Sequence, residues 1–339
     1  MKIKNAAAIA VLLLLCGCTV SENNVSEKEL FAMDTYMKFT AYGDNSEAAL
    51  SDVCEKVEEL EKLFSVTDEK SDISRINTSH GSAVNVSADT ENIISRSLEI
   101  SRLTDGSADM TVYPLVRAWG FTTGEYAVPS ENIISGLLDN TGYENITLSE
   151  NTVTVPEGFQ LDLGSIAKGY AGEICAEMLK NEGISSAILN LGGNIQTVGE
   201  KPDGSPWKVA VTDPFSQSDI ICTVEVRDKA VVTSGNYQRY FIADNGKKYC
   251  HIIDPKTGYP ADNGLASVTV IGDSGTYCDG LSTALFVMGK DKAADFWKEH
   301  RDFDMIIIEE SGNVLVTENI YESTAFSDSG NITGTEVIN

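Results

Sequence analysis

Positive charge is scarce in this chain. Its 339 residues hold 25 Lys and Arg against 51 Asp and Glu, which gives a formal net charge of −26. Such an acidic surface repels phosphate backbones and anionic lipid headgroups, which argues against nucleic acid and peripheral membrane adhesion. A ligand that carries phosphate must then be held by a local cation, by backbone N–H groups or by a metal ion.

Long apolar runs and metal-ligand patterns are lacking as well. The apolar run of residues 6–15 is too short to span a bilayer as a helix of the mature protein. The five cysteines beyond residue 18 are scattered, with neither zinc-ligand spacing nor a disulfide framework. Histidine occurs three times, which leaves few candidates for a general base.

The N-terminus has the pattern of an export signal. Lys2 and Lys4 precede the apolar run, which ends in Leu15-Cys16-Gly17-Cys18. This ending resembles the lipobox of bacterial lipoproteins, with Cys18 as the lipid-modified residue. Cys16 is the weaker candidate because a large leucine precedes it, and cleavage without lipidation is the alternative. We therefore expect a signal peptide over residues 1–17.

A lipidated Cys18 and a flexible polar tether are expected over residues 18–30. Acyl chains on this cysteine would anchor the protein to the cell membrane on its extracytoplasmic side.

The body of the chain mixes helix and strand patterns. An apolar stripe at helical spacing predicts a helix that Ser46 caps and that runs to Phe64, with Leu50, Val53, Val57, Leu60 and Phe64 on one face. Further helices are expected over 89–104, 165–181, 276–288 and 291–299. Strands are expected over 33–42, 187–191, 207–212, 220–226, 230–233, 267–271 and 304–309, with a hairpin over 146–155 that turns at Glu150-Asn151. There is no regular βαβ alternation and no domain boundary. This predicts one α+β domain over residues 31–321 and a loosely ordered polar tail over 322–339.

The segment Leu161 to Tyr170 (LDLGSIAKGY) combines a predicted strand end, a glycine turn and a helix N-terminus. Free backbone N–H groups at such a terminus suit a phosphate. Lys168 falls in the first helical turn, where a cation is unfavourable for the helix dipole. A ligand contact explains this lysine better, although many strand–helix turns contain Gly and Lys for solvation alone.

A second segment, residues 276–283, places Asp279 and Thr283 four residues apart, on one face of a predicted helix. A carboxylate and a hydroxyl are oxygen ligands that suit Mg²⁺. Judged alone, a structural role is the simpler reading of this pair, with Asp279 favouring the helix dipole and Thr283 bonding back to a carbonyl.

A third segment, residues 250–260, carries His251 between apolar residues and a Pro/Gly turn. His80 and His300 lie in polar surroundings, so His251 is the best candidate for a general base, with a buried structural histidine as the alternative. A fourth segment, residues 233–237, is a strand end that contains hydroxyls and a glycine.

Together these segments resemble the FAD:protein FMN transferase family, also called ApbE-type flavin transferases. Residues 71–77, 108–115 and 190–194 match as well, and the resemblance covers residues 32–288 in the family's order. It implies helices packed around a β core with an FAD cleft between two lobes. It also implies Mg²⁺-dependent transfer of FMN from FAD to a Thr or Ser hydroxyl of an acceptor flavoprotein, with release of AMP.

The resemblance also assigns roles to single residues. It gives the metal to Ser165, Asp279 and Thr283, and the catalytic base to His251. Contacts with FAD fall to Met33, Ala108, Asp109, Met110, Asp162, Lys168 and Ile253. The acceptor is expected to be a subunit of a respiratory redox complex.

Three positions depart from the family pattern. Met33-Asp34-Thr35 replaces Met-Gly-Thr and adds a side chain, Thr67 stands where relatives often carry an aromatic residue, and Gly280 stands where alanine is common. A Mg²⁺-dependent FAD pyrophosphatase would use the same residues with water as the acceptor. A lipoprotein that carries FAD without chemistry is the alternative from another class.

Overall fold

The computed structural model describes residues 24–328 and 330–339. The strands are β1 (Val25–Ala32), β2 (Thr35–Tyr42), β3 (Val84–Asn85), β4 (Thr147–Ser149), β5 (Thr152–Thr154), β6 (Ser186–Leu191), β7 (Asn194–Gly199), β8 (Trp207–Asp213), β9 (Ser216–Val226), β10 (Ala230–Gly235), β11 (Tyr240–Ile242), β12 (Lys248–Cys250), β13 (Leu265–Gly272), β14 (Asp304–Glu309), β15 (Asn313–Thr317), β16 (Thr324–Phe326) and β17 (Gly334–Ile338). The helices are α1 (Ser46–Phe64), α2 (Asp72–Asn77), α3 (Ala88–Leu103), α4 (Tyr113–Ala118), α5 (Glu131–Leu138), α6 (Ala167–Asn181), α7 (Gly275–Met288), α8 (Lys290–Glu299) and α9 (Glu318–Tyr321). The predicted signal peptide and Cys18 lie outside the described residues.

A nine-stranded sheet in the order β1-β2-β6-β7-β10-β13-β14-β15-β17 forms the centre of the fold. Successive residues of a strand face opposite sides of a sheet, and the core divides accordingly. Val232 and Ile307 belong to the core that contains residues of α7 and α8, whereas Val231 and Ile306 belong to the core formed with β8 and β9. The predicted α+β class is confirmed, with helices on one face and a small sheet of β16, β9 and β8 on the other.

The first long helix follows its sequence pattern closely. The predicted apolar stripe, Leu50, Val53, Val57, Leu60 and Phe64, is buried. Ser46 was expected to cap this helix, but it is the first helical residue and Asn45 occupies the cap position. The predicted hairpin is also confirmed, because Glu150 and Asn151 both adopt positive φ between β4 and β5.

Two segments predicted to lack regular structure are strands. Residues 25–30 of the predicted tether lie in β1, which pairs with β2 around a turn at Met33-Asp34, so the predicted strand 33–42 starts only at Thr35. The predicted loose tail contains β16 and β17, and β17 pairs in parallel with β15. β1 pairs with β2, the next strand in the sequence, whereas β16 pairs with β9 about 100 residues earlier. Their polar composition reflects edge positions with one exposed face.

The buried end of β17 leads to a stability prediction. Ile338 is 5% exposed in the core beneath α7 and α8, whereas its neighbour Val337 is 39% exposed. We expect Ile338→Ala to lower the free energy of unfolding by about 2–4 kcal/mol, the range for a buried aliphatic truncation. Urea unfolding measures this, and Val337→Ala is the matched control. Equal effects of the two changes would contradict a docked β17.

A smaller core lies apart from the main sheet. Leu115, Trp119, Phe121, Ile134, Tyr249 and Ile253 pack together. These residues join α4 and α5 to β12 and to the segment that follows it. This smaller core supports the chain around His251. Among the residues described, no helix is long and apolar enough to cross a membrane.

Candidate active site

The turn before α6 brings the first predicted site residues together. Residues 159–163 form no strand, so the predicted strand end is wrong. The Asp162 N–H donates to the Met110 carbonyl at 2.8 Å, and Asp162 Oδ1 accepts from the Gly164 N–H at 2.7 Å. Ser165 lies in the turn itself, and α6 begins two residues later at Ala167.

The N-terminus of α6 has no side-chain cap of its own. Instead, the Gly169 N–H donates to Asp279 Oδ2 of α7 at 2.8 Å. The N–H groups of Ile166 and Ala167 donate to the Leu163 carbonyl at 3.0 and 2.8 Å. This terminus is therefore held by the turn before it and by a carboxylate that a neighbouring helix supplies.

Close contact between α6 and α7 makes that arrangement possible. A Cβ on Gly169 would lie 2.2 Å from the Gly275 carbonyl oxygen and 2.5 Å from Asp279 Cβ. Gly280, the departure on α7, faces Ile100, whose Cδ1 would lie 2.7 Å from a Cβ there. Glycine at both positions follows from close packing, and the alanine common in relatives would not fit at Gly280 unless Ile100 moved.

This packing predicts that alanine substitutions at two glycines of α6 have different effects on the stability of the protein. We expect Gly169→Ala to destabilise the protein by about 1–3 kcal/mol through overpacking and to displace Asp279. Gly172→Ala is the control, since its Cβ would meet Gln196 and Leu191 at an ordinary 3.4 Å. Alanine also favours the helix there by about 1 kcal/mol. Thermal unfolding of both variants checks the prediction, and equal melting temperatures would contradict it.

Asp279 and Thr283 share one face of α7, as predicted. Asp279 is 5% exposed, and Thr283 Oγ1 lies 3.2 Å from Ser234 Oγ on β10. Burial raises the pKa of Asp279, while the Lys168 ammonium, the Gly169 N–H and the Asn194 amide oppose that rise. An ionised carboxylate at this position therefore depends on neighbouring positive charge.

The charge of Lys168 affects the pKa values of several predicted site residues. Its Nζ lies 3.4 Å from the Gly164 carbonyl oxygen in the turn before α6. Its charge opposes the rise that burial causes in the pKa values of Asp162 and Asp279, and it helps to lower the pKa of His251. One cation thus faces three predicted site residues that are up to 117 positions apart in the sequence.

His251 follows β12 and is held by one backbone carbonyl. Its N–H donates to the Arg239 carbonyl at 3.0 Å, and its ring Nδ1 lies 3.2 Å from the same oxygen. A carbonyl can only accept, so Nδ1 carries the proton and Nε2 keeps a free lone pair. Burial, with the charges of Arg239 and Lys168, lowers the pKa of His251 to about 4. The ring is neutral at neutral pH and able to take a proton.

The β1–β2 turn reaches the same neighbourhood through Arg239. Met33 and Asp34 both have positive φ, a conformation that Asp tolerates better than most residues. The Met33 N–H donates to Glu61 Oε1 at 2.7 Å, and Asp34 Oδ2 lies 3.6 Å from Arg239 Nη1. The side chain added at position 34 thus forms a long ion pair with the residue that holds His251.

The other predicted FAD contacts are buried parts of the framework. Ala108, Met110 and Ile253 are at most 6% exposed. The Asp109 carboxylate accepts from the Thr111 N–H, the Thr111 hydroxyl and the Tyr143 N–H at 2.7–2.9 Å. These hydrogen bonds hold the loop. All these FAD contacts stay predictions.

Thr67 lines a cavity of about 340 Å³ together with Tyr113, Arg117 and Gln160. The Arg117 guanidinium lies 5.7 Å from the centre of the Tyr113 ring. Tyr113, from another element, thus contributes an aromatic ring to the cavity that Thr67 lines. Neither Tyr113 nor Arg117 was selected from the sequence, although Tyr113 lies inside the matched stretch 108–115.

The candidate metal ligands fit a hard cation. Within residues 24–328 and 330–339, no group of three or more His, Cys, Asp or Glu side chains could hold a metal ion. The candidate set instead contains a carboxylate, a hydroxyl and a backbone carbonyl, all of them oxygen donors, as hard cations prefer. The five described cysteines are free, which agrees with the absence of a disulfide framework.

Arg239 and Asn194 also belong to this region and were not selected from the sequence. Arg239 follows the fourth segment by two positions. Because cations are rare in this acidic chain, an arginine so close to a candidate segment could have indicated a role in the site. Asn194 lies within the matched stretch 190–194, but nothing local indicates that its side chain is buried without partners.

The charge of a lysine at a helix N-terminus thus acts on a buried carboxylate and on a neutral imidazole, beside a three-layered α+β core. This combination defines a protein that can bind a phosphate-bearing ligand and move a proton next to it. The ApbE family profile matches residues 33–307, and the chain belongs to the ApbE family.

Several relatives are named FAD:protein FMN transferase. The Vibrio cholerae protein is 34% identical over 294 residues, 84% of this chain and 87% of the relative. The Treponema pallidum protein is 31% identical over 279 residues, 77% of each chain.

Solved structures agree with this family assignment. The ApbE protein of Thermotoga maritima has a TM-score of 0.82 and 35% identity, covering 87% of this chain and 98% of its own. The flavin transferase ApbE from Vibrio cholerae has a TM-score of 0.76 and 30% identity, covering 85% and 94%.

Proposed function

We propose that the protein is an FAD:protein FMN transferase, which transfers FMN from FAD to a Thr or Ser hydroxyl of an acceptor flavoprotein and releases AMP. The observation that carries this is the contact between α6 and α7 at Asp279, together with the charge of Lys168 on α6, which acts on both Asp279 and His251. Binding of phosphate, neutralisation of its charge and removal of a hydroxyl proton each need one of these groups.

FAD would lie with its pyrophosphate at the N-terminus of α6. The positive end of the helix dipole and the Lys168 ammonium supply positive charge there in a strongly acidic protein. Met33, Ala108, Asp109, Met110, Asp162 and Ile253 are proposed to shape the rest of the binding site. The hydrogen bond from Asp162 to the Met110 carbonyl supports this, because it joins two of the predicted contact segments.

Ser165, Asp279 and Thr283 would hold Mg²⁺. A magnesium ion bound there would neutralise charge on the pyrophosphate as the bond to AMP breaks. Asp279 is suited to this role, because the Gly169 N–H occupies only its Oδ2 atom. The Ser234 hydroxyl supports Thr283 from the neighbouring strand.

His251 would act as the general base. Its Nε2 atom takes the proton of the acceptor hydroxyl, whose oxygen then attacks the phosphorus of the FMN half of FAD. The bond from this phosphorus to the bridging oxygen breaks, the bridging oxygen leaves with AMP, and a phosphoester joins FMN to the acceptor. The Arg239 carbonyl keeps the proton on Nδ1 throughout, so that Nε2 stays the reactive nitrogen.

The protein would act at the extracytoplasmic side of the cell membrane, held by a lipid on Cys18 after removal of residues 1–17. The lipobox-like ending at residues 15–18 supports this. The acceptor would be a subunit of a respiratory redox complex. Retention of the purified full-length protein on detergent-free membranes, lost in Cys18→Ser, tests the anchor.

A direct assay tests the transfer. Purified protein is incubated with FAD, Mg²⁺ and an acceptor flavoprotein, and we expect AMP release together with a fluorescent acceptor band in a denaturing gel. Omission of the acceptor is the control for hydrolysis. AMP and free FMN without any covalent flavin would instead identify a pyrophosphatase, and bound but intact FAD would identify a carrier.

A further inference from the structure

Asn194, at the start of β7, is a buried polar residue to which the proposed chemistry gives no role. Its side chain is 3% exposed, and neither its amide nitrogen nor its amide oxygen has a hydrogen-bond partner among the described residues. Burial of an unpartnered amide is unfavourable, and native proteins rarely leave both atoms unsatisfied. The Asn194 amide is therefore expected to gain a partner when the neighbouring site binds its ligand.

Two contacts fix how β7 and β10 lie against α7. At one end, the side-chain oxygen of Gln196 lies 2.8 Å from the position that a Cβ on Gly275 would take. At the other end, Ser234 Oγ lies 3.2 Å from Thr283 Oγ1. Two turns of α7 thus run alongside one face of these strands.

The register between β7 and β10 places Asn194 between those contacts. Gln196 pairs with Ala230, so two residues back along β7 correspond to two residues forward along β10, on the same face of the sheet. Asp279 lies one turn after Gly275 and one turn before Thr283. The middle contact along this face therefore joins Asn194 to Asp279. The Asn194 amide opposes the burial-induced rise in the pKa of Asp279, which agrees with this position.

We propose that Asn194 is a positioning residue for Asp279, whose carboxylate it holds by donating an amide N–H when the carboxylate binds its cation. The Gly169 N–H already holds Asp279 Oδ2 from α6 at 2.8 Å. A second donor on β7 fixes the carboxylate between helix and sheet. Such supporting hydrogen bonds orient metal ligands and keep their geometry. The inference rests on the proposed function only in taking Asp279 as a ligand of a divalent cation.

Binding of Mn²⁺, a paramagnetic substitute for Mg²⁺, tests this without reference to turnover. Mn²⁺ is titrated into the purified protein with FAD present, and the free ion is measured by electron paramagnetic resonance. We expect Asn194→Leu to weaken Mn²⁺ binding about 10- to 100-fold, the usual effect of losing a residue that supports a metal ligand. In the transfer assay, the Mg²⁺ concentration for half-maximal rate should rise far more than kcat at saturating Mg²⁺ falls.

Gln196→Leu is the matched control. It removes another buried amide from the same face of β7, whose oxygen also has no partner among the described residues, but it lies one contact away from Asp279. Its Mn²⁺ binding should equal that of the wild type. A purely structural role for Asn194 would change the melting temperature alone.

The outcomes separate this inference from the proposed function. If Asp279→Asn weakens Mn²⁺ binding and Asn194→Leu does not, the positioning role is wrong while the metal site stands. If Asp279→Asn also binds Mn²⁺ like the wild type, the metal site itself is wrong and this role with it. If Asn194→Leu does not fold, Asn194→Ala is titrated in its place, and unchanged Mn²⁺ binding there overturns the proposal.

Discussion

Replacement of Asp279 by Asn should reduce FMN transfer by about 10²–10³-fold in kcat/KM, because loss of a metal ligand removes several kcal/mol of transition-state stabilisation. The folded protein should tolerate the change. An asparagine oxygen can still accept the Gly169 N–H that Asp279 Oδ2 accepts at 2.8 Å. The variant also removes a buried negative charge, which is unfavourable unless it is paired. Activity and stability should therefore respond in different directions.

The measurement combines three readouts on one preparation. Steady-state transfer gives kcat/KM, thermal unfolding gives the melting temperature, and the shift of that temperature on adding Mg²⁺ with FAD reports ligand binding. The control is Asp273→Asn, just before α7, whose carboxylate is 81% exposed and pairs with Lys229. A melting temperature that falls together with the activity would assign Asp279 a structural role and contradict the prediction.

The interior of the fold was predictable because its signals are local. The apolar stripe of α1 repeats at helical spacing and is buried. The Glu150-Asn151 turn carries residues that accept positive φ more readily than branched ones. The face shared by Asp279 and Thr283 follows from helix geometry alone. In each case the residues that form the helix or turn also carry the pattern that predicts it.

The edges of the sheet were not predictable in the same way. β1 alternates exposed and half-buried residues and contains Glu27, Lys28 and Glu29, so it resembles a polar tether. It becomes a strand because β2 supplies its hydrogen-bond partners, while β2 in turn pairs with β6 about 150 residues later. The polar tail becomes β17 for the same reason, and Ile338 alone anchors its buried end.

The site, too, was predictable only in part. Motif order indicated which residues matter, but it could not indicate how each side chain is used. Asp109 is predicted to contact FAD, and the structure adds that its carboxylate accepts hydrogen bonds from Thr111 and Tyr143. Asp279 and the Gly169 N–H that it accepts are 110 residues apart. The role proposed for Asn194 depends on the register of β7 and β10 and on their packing against α7, which no local sequence pattern encodes.

Replacement of His251 by Gln should lower transfer by about 10²–10⁴-fold, the usual contribution of a general base. Binding of FAD should change little, because the proposed contacts with the pyrophosphate come from α6. The control is His80→Asn, since His80 is exposed, lies at positive φ and is placed in no site. Fluorescence titration with FAD and the covalent transfer assay separate the two steps. Equal loss of binding and transfer would contradict a role as base.

The pH dependence gives a second, independent check on His251. Burial, with the charges of Arg239 and Lys168, lowers its pKa from 6.5 to about 4 in the folded protein. The unfolded chain therefore binds more protons in this window, and the free energy of unfolding falls as pH falls from 6.5 towards 4. The neutral ring contributes its full stability only above this window. In His251→Gln this contribution is absent, so we expect its urea midpoint to fall less steeply between pH 6.5 and 4 than that of the wild type. Parallel curves would show that the pKa of His251 in the fold equals its value in the unfolded chain, which would contradict a ring kept neutral by burial.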